Sequence, residues 1–190
     1  LKRYILFLLL LTYRIKLMIR FFFNIILFIS TILILAFLNI SLSYLLPLPY
    51  SAANFPFIAF VFYIISRESG AVVWFAFFSY FVIELFVGIP FGILLFSSTF
   101  ATLFTYWLYK HIITNKSLYA ALILLTSGIL AFRFLYLLLI FLVTLFGLVD
   151  PSWNQIMVKI LWELLFSNIV FSLFYPFFYI FVRNKRTYIQ

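Results

Sequence analysis

Apolar residues in this chain come in long unbroken runs, separated by short breaks that alternate between charged and uncharged. The first clear run is Phe21–Leu46, followed by Phe55–Ser66, Gly70–Val87, Phe91–Tyr109, Leu118–Val149 and Ile156–Val182. A helix that crosses a bilayer needs about 20 mostly apolar residues, and five of the six runs approach or exceed that length. Phe55–Ser66 is shorter and covers little more than half of the hydrocarbon core at about 1.5 Å per residue. It is either a short, protein-buried crossing or a re-entrant segment, and the charge alternation favours a crossing. Pro47, Pro49 and Asn54 mark the loop before it. Gly88-Ile89-Pro90 breaks the chain between the third and fourth runs, and Asp150 to Asn154 forms a turn before the last. The predicted fold is an all-α polytopic transmembrane bundle of about six spans.

The breaks also predict sidedness. Lys and Arg occur in residues 1–20, at Arg67, at Lys110 and Lys116, and in the tail from Arg183 to Arg186. The loops 47–54, 88–90 and 150–154 contain none. By the positive-inside rule both termini are cytoplasmic and the uncharged loops lie outside. If Phe55–Ser66 were re-entrant, every later loop would change sides and the rule would fail. Three regions follow: a basic cytoplasmic or interfacial segment over 1–20, a six-span domain over 21–182 and a basic cytoplasmic tail over 183–190. The run Ile5–Leu11 is too short to span and reads either as a helix lying on the inner leaflet or as an irregular start. The chain opens on Leu1, so either an alternative start codon is rendered literally or preceding residues are missing. No small-residue cleavage site follows the first apolar run, and no cleavable signal peptide is expected.

Composition sharpens the class. Of 190 residues, 68% are apolar and 9% charged, a balance that a soluble domain of this size cannot bury. The formal net charge of +9 would suggest nucleic acid in a soluble protein, but here it follows from the basic inner loops. With no cysteine, disulfides and thiolate metal sites are excluded. The 29 phenylalanines are attributed to genomic bias and lipid exposure.

Four ionisable residues fall inside apolar runs, where charge is costly and usually faces protein or water: Glu84, Arg133, Lys159 and Glu163. Lys159 and Glu163 are four residues apart and share a helix face, so they can pair. Arg133 has a stem long enough to reach either neighbour. Two readings stand. The four form a polar cluster between spans three, five and six, opening outward to a ligand or a protein partner, or Arg133 and one glutamate form a buried pair that fixes helix packing. Gly88, Pro90 and Gly92 suggest a tight helical hairpin, with the glycines allowing close backbone approach and Pro90 in the first turn of the fourth helix.

Catalytic constellations are missing. His111 is the only histidine, so no His-rich metal site exists. Ser127-Gly128 offers a hydroxyl but no base that His111 could supply. No phosphate-binding glycine loop occurs. The chain reads as a non-enzyme, without catalytic residues, metal or cofactor.

Across spans two to four the chain resembles the rod-shape-determining MreD family. The features are Pro47 and Pro49 in an outer loop, a short second span, Arg67 and Gly70, then a third span ending at Glu84 before Gly88-Ile-Pro90-Phe-Gly92. The family usually has Asp after Gly-Leu in the third span, where this chain has Val82-Ile83-Glu84. The resemblance implies a non-catalytic component of the bacterial cell-elongation machinery in the inner membrane. Such a protein works beside an MreC-like protein and a peptidoglycan synthase and transpeptidase, through intramembrane contacts. It also implies a fold similar to the substrate-binding subunits of energy-coupling-factor transporters, which are the alternative reading. Those subunits dock their partner through small residues in the first span, where this chain has bulky Ile, Leu and Phe around Ala36.

Overall fold

The computed structural model describes the backbone of residues 2–47, 50–113, 117–147 and 151–187, and side chains at 14, 16, 18–20 and within 22–180. Pro49, Lys116, Asp150, residues 188–190 and the side chains of Lys2, Arg3, Arg183, Lys185 and Arg186 lie outside the described residues. The described residues form six α-helices and one 3-10 turn, with no strand among them. The helices are α1 (Lys2–Leu45), α2 (Phe55–Arg67), α3 (Val72–Glu84), α4 (Ile93–His111), α5 (Leu118–Leu145) and α6 (Trp153–Thr187). By length and composition three stretches can cross a membrane: Met18–Leu45, Leu118–Leu145 and Trp153–Ile180. The protein is thus an all-helical membrane protein.

Two compact units divide at residues 34 and 35. The first consists of the greater part of α1. Several of its apolar side chains, Phe22, Phe23 and Ile26 among them, are more than half exposed, as suits a helix surface solvated by lipid. Helix α1 runs unbroken over Lys2–Leu45, with no Gly or Pro to interrupt it. The second unit holds the rest of the chain, and its core is built around α2.

Helix α2 is apolar on every side, the pattern of a helix surrounded by other helices. Phe57, Val61 and Ile64 are fully buried, against a core that includes Val72, Ala76, Leu125, Ile129 and Phe171. Its start is set by Asn54, whose side chain accepts from the Phe57 N–H at 3.1 Å, with Pro56 in the first turn. It ends where Glu68 adopts a left-handed conformation and its N–H closes onto the Ile64 carbonyl. At 13 residues, α2 and α3 are each about 20 Å long, shorter than a hydrocarbon core of about 30 Å.

Several boundaries differ from the sequence pattern for identifiable reasons. The third run is read as Gly70–Val87, but α3 stops at Glu84, where Phe86 and Val87 bond back over three residues and tighten the chain into a turn. Pro90 is not in the first turn of α4. The helix begins only at Ile93, after Gly92 at φ 102°, a left-handed position that favours glycine. Close backbone approach at Gly88 and Gly92 is not observed either, since a Cβ at each would meet nothing within 4 Å. The glycine that permits close packing is Gly128 of α5. A Cβ there would lie 2.6 Å from Thr105 Oγ1 of α4 and 3.3 Å from the Phe57 ring. Of the aromatic residues that end α4, Trp107 is exposed, Tyr106 is half-buried against Gly70, and Tyr109 is buried.

Candidate functional site

The main polar feature of the second unit is a buried node centred on Asn54. The segment before α2 does not stay at the helix ends. Ala52, Ala53 and Asn54 are buried, and Asn54 meets α6 at Glu163 and Ser167. Glu163 is about 15 Å along the helix from Trp153. Buried irregular backbone needs its polar groups satisfied by the surrounding protein. Here the Asn54 N–H donates to Ser167 Oγ at 2.9 Å, and Asn54 Nδ2 donates to Glu163 Oε1 at 2.7 Å. Asn54 Oδ1 accepts from both Phe57 N–H and the Tyr80 hydroxyl, the latter at 3.0 Å. One side chain therefore caps α2 and ties it to α3 and α6.

Arg133 of α5 completes the node. Its Nε donates to Glu163 Oε2 and forms an ion pair with it. Side-chain exposure is 13% for Arg133 and 2% for Glu163, so the pair is largely withdrawn from solvent. The guanidinium carbon lies 5.0 Å from the Phe132 ring centre and 5.2 Å from that of Tyr136, within cation–π range. Both Glu163 oxygens are engaged, one by an amide and one by a guanidinium, which offsets the cost of burying the carboxylate.

Beside the node is a cavity of about 260 Å³, whose polar lining includes Asn39, Ser43, Tyr80, Arg133, Lys159 and Glu163. Lys159 is exposed and makes no ion pair among the described residues, because Glu163, its neighbour one turn on, pairs with Arg133 instead.

Glu84 is apart from this group. It is buried at the end of α3 and turns toward α4, where Oε1 accepts from the Leu94 N–H at 2.8 Å and Oε2 from the Leu95 N–H at 3.3 Å. The carboxylate thus satisfies two free N–H groups of the first turn of α4 and sits at the positive end of its dipole. Gly88, Pro90 and Gly92 form the turn that returns α4 to that carboxylate.

Of the four intramembrane charges singled out from the sequence, the fold brings together Arg133, Glu163 and Lys159 and gives Glu84 a separate partner. Sequence reasoning missed Asn54, Tyr80 and Ser167. The available signal was Asn54 immediately before Phe55-Pro56, an N-cap with proline in the first turn. Ser127 Oγ donates to its own helix at Leu124 O, and the His111 ring packs on Trp107 at 5.5 Å. No group of three or more metal-ligating side chains occurs among the described residues.

The chain matches no protein-family model, no curated protein and no solved structure.

Proposed function

We propose that the chain is a non-catalytic integral component of the bacterial cell-elongation machinery, a scaffold acting through intramembrane contacts in the manner of the MreD family. The observation that carries the reading is the Glu84 carboxylate held on the first turn of α4. Four of the residues on which the resemblance rests, Glu84, Gly88, Pro90 and Gly92, belong to one structural device, a capped helical hairpin. In this reading α2 and α3 cross the inner membrane as short helices completed by irregular, protein-covered chain, giving six crossings with both termini cytoplasmic. The exposed aromatic faces of α3 and α4, with Trp74, Phe100 and Trp107, are available to lipid or to the single-pass and polytopic partners of such a machine.

The test is co-purification from native membranes in mild detergent. Glu84→Ala removes the cap, at a cost of about 1–2 kcal/mol, and should reduce recovery of an MreC-like protein or a cell-wall synthase. Ser98→Ala, which removes only a hydroxyl bonded to its own helix at Leu95, should not. Equal recovery with both variants removes the special role of Glu84, and absence of such partners from the wild-type preparation defeats the scaffold reading.

A second reading is favoured by the cavity. A solute-binding transporter subunit requires a polar pocket, and about 260 Å³ lies just below the range of about 300–1,000 Å³ typical of small-molecule sites. Recovery of an ATPase module with the protein would select it.

A further inference from the structure

The charges around the cavity are unequally satisfied. Glu163 is fully engaged, with Asn54 on one oxygen and Arg133 on the other. Arg133 uses only Nε for that pair, and its two terminal nitrogens have no hydrogen-bond partner among the described residues. A guanidinium has five N–H donors in a planar fork, and four of them belong to those terminal nitrogens. Lys159, also on the cavity wall, has no ion-pair partner among the described residues. Two cations thus face a space whose one carboxylate among the described residues is already paired with Arg133. Both can offer donors to an anion entering the cavity, and charge-assisted hydrogen bonds to an oxyanion are the strong ones.

We propose that this cavity is a binding site for one small anion, a phosphate or carboxylate of headgroup size, gripped by the terminal edge of the Arg133 guanidinium and by the Lys159 ammonium. The fork geometry suits two parallel hydrogen bonds to a planar or tetrahedral oxyanion, and lysine adds a point charge from the next helix. The cavity is of a size for a small ligand such as a glycerol phosphate, an amino-acid-sized carboxylate or a lipid headgroup. The Asn39 and Ser43 side chains on the wall supply neutral hydrogen-bonding groups for the remainder of such a ligand. The inference goes beyond the scaffold reading and does not depend on it, since the cavity and its cations belong to the fold whatever the partners are.

The test uses the full chain in nanodiscs of phosphatidylcholine, followed by tryptophan fluorescence during heating and by native mass spectrometry. Three probes are added separately: phosphatidylglycerol, soluble glycerol 1-phosphate and succinate. At least one should raise the midpoint of unfolding saturably and appear as a single adduct. Lys159→Gln should weaken that probe about tenfold, the loss of one charge-assisted hydrogen bond, and Lys159→Arg should retain it. Lys159 is exposed, so both variants should fold with unliganded midpoints near that of the wild type. A response to phosphatidylglycerol alone assigns the site to a lipid headgroup, whereas a response to a soluble probe assigns it to a free solute. If no probe binds, or if wild type and Lys159→Gln respond equally, the proposal is overturned and the cavity holds water only.

Discussion

Arg133 and Glu163 are thirty residues apart in the chain, on neighbouring helices, and each offsets the cost of burying the other's charge. The pair stabilises mainly in the sense that breaking it is expensive. Arg133→Met should cost about 3–5 kcal/mol, because it leaves a buried carboxylate with only the Asn54 amide. The double variant Arg133→Met with Glu163→Gln should recover much of that loss, since an uncharged amide keeps a hydrogen bond to Asn54 without needing a counter-charge. Unfolding of the two variants and of Glu163→Gln in one detergent closes the cycle, and equal destabilisation by single and double variants would show that the ion pair has no role in the fold. At this scale the sequence was partly legible. A charge in an apolar run stands out against its surroundings, so Arg133, Lys159 and Glu163 are visible. Which of them pair is not, because the choice between Arg133 and Lys159 as partner for Glu163 depends on how α5 and α6 rotate against each other. Tyr80 was hidden among 13 tyrosines, and Asn54 looked like an ordinary loop residue.

The elements themselves follow from the apolar runs, and their ends do not. Each of the six runs from Phe21 onward has a helix, but where a helix stops is decided by local hydrogen bonds: Asn54 at the start of α2, Glu68 at its end, Glu84 and Gly92 between α3 and α4. Packing between elements is likewise set by single positions. The α4–α5 contact depends on Gly128 lying against Thr105, whose hydroxyl donates to Ala101 O at 2.7 Å and leaves its methyl and oxygen fixed. Gly128→Ala should therefore cost about 1–3 kcal/mol by overpacking. Adding Thr105→Ala should restore most of the stability, because it removes the atoms that the new methyl would strike. Thermal midpoints of the single and double variants check this, and an additive loss would mean that the contact is not the cause.

At the scale of the molecule, the question is how chain elements of unequal length share one membrane. Three stretches are long enough to span alone; the short α2 is covered by its neighbours, and α3 buries one face and leaves Trp74, Phe78 and Phe81 exposed. The six-crossing arrangement predicts opposite accessibility for successive connections, and a chain without cysteine is suited to the measurement. Single cysteines at exposed Ser66 and His111 should react with an impermeant maleimide only after cells are opened, whereas those at Phe91 and Ser152 should react in intact spheroplasts. Labelling of Ser66→Cys and Ser152→Cys from the same side would rule the arrangement out.

The Asn54 node also bears on how such a protein is made. Glu163 and Ser167 follow Asn54 by 109 and 113 residues, so during synthesis α2 is made well before the groups that satisfy its capping residue exist. Arg133 likewise enters ahead of its carboxylate. Until α6 is made, the Asn54 amide and the Arg133 guanidinium lack the partners they have in the folded chain. Closure of the Asn54 node by α6, rather than formation of α2 itself, is then the step that fixes the packing of the second unit.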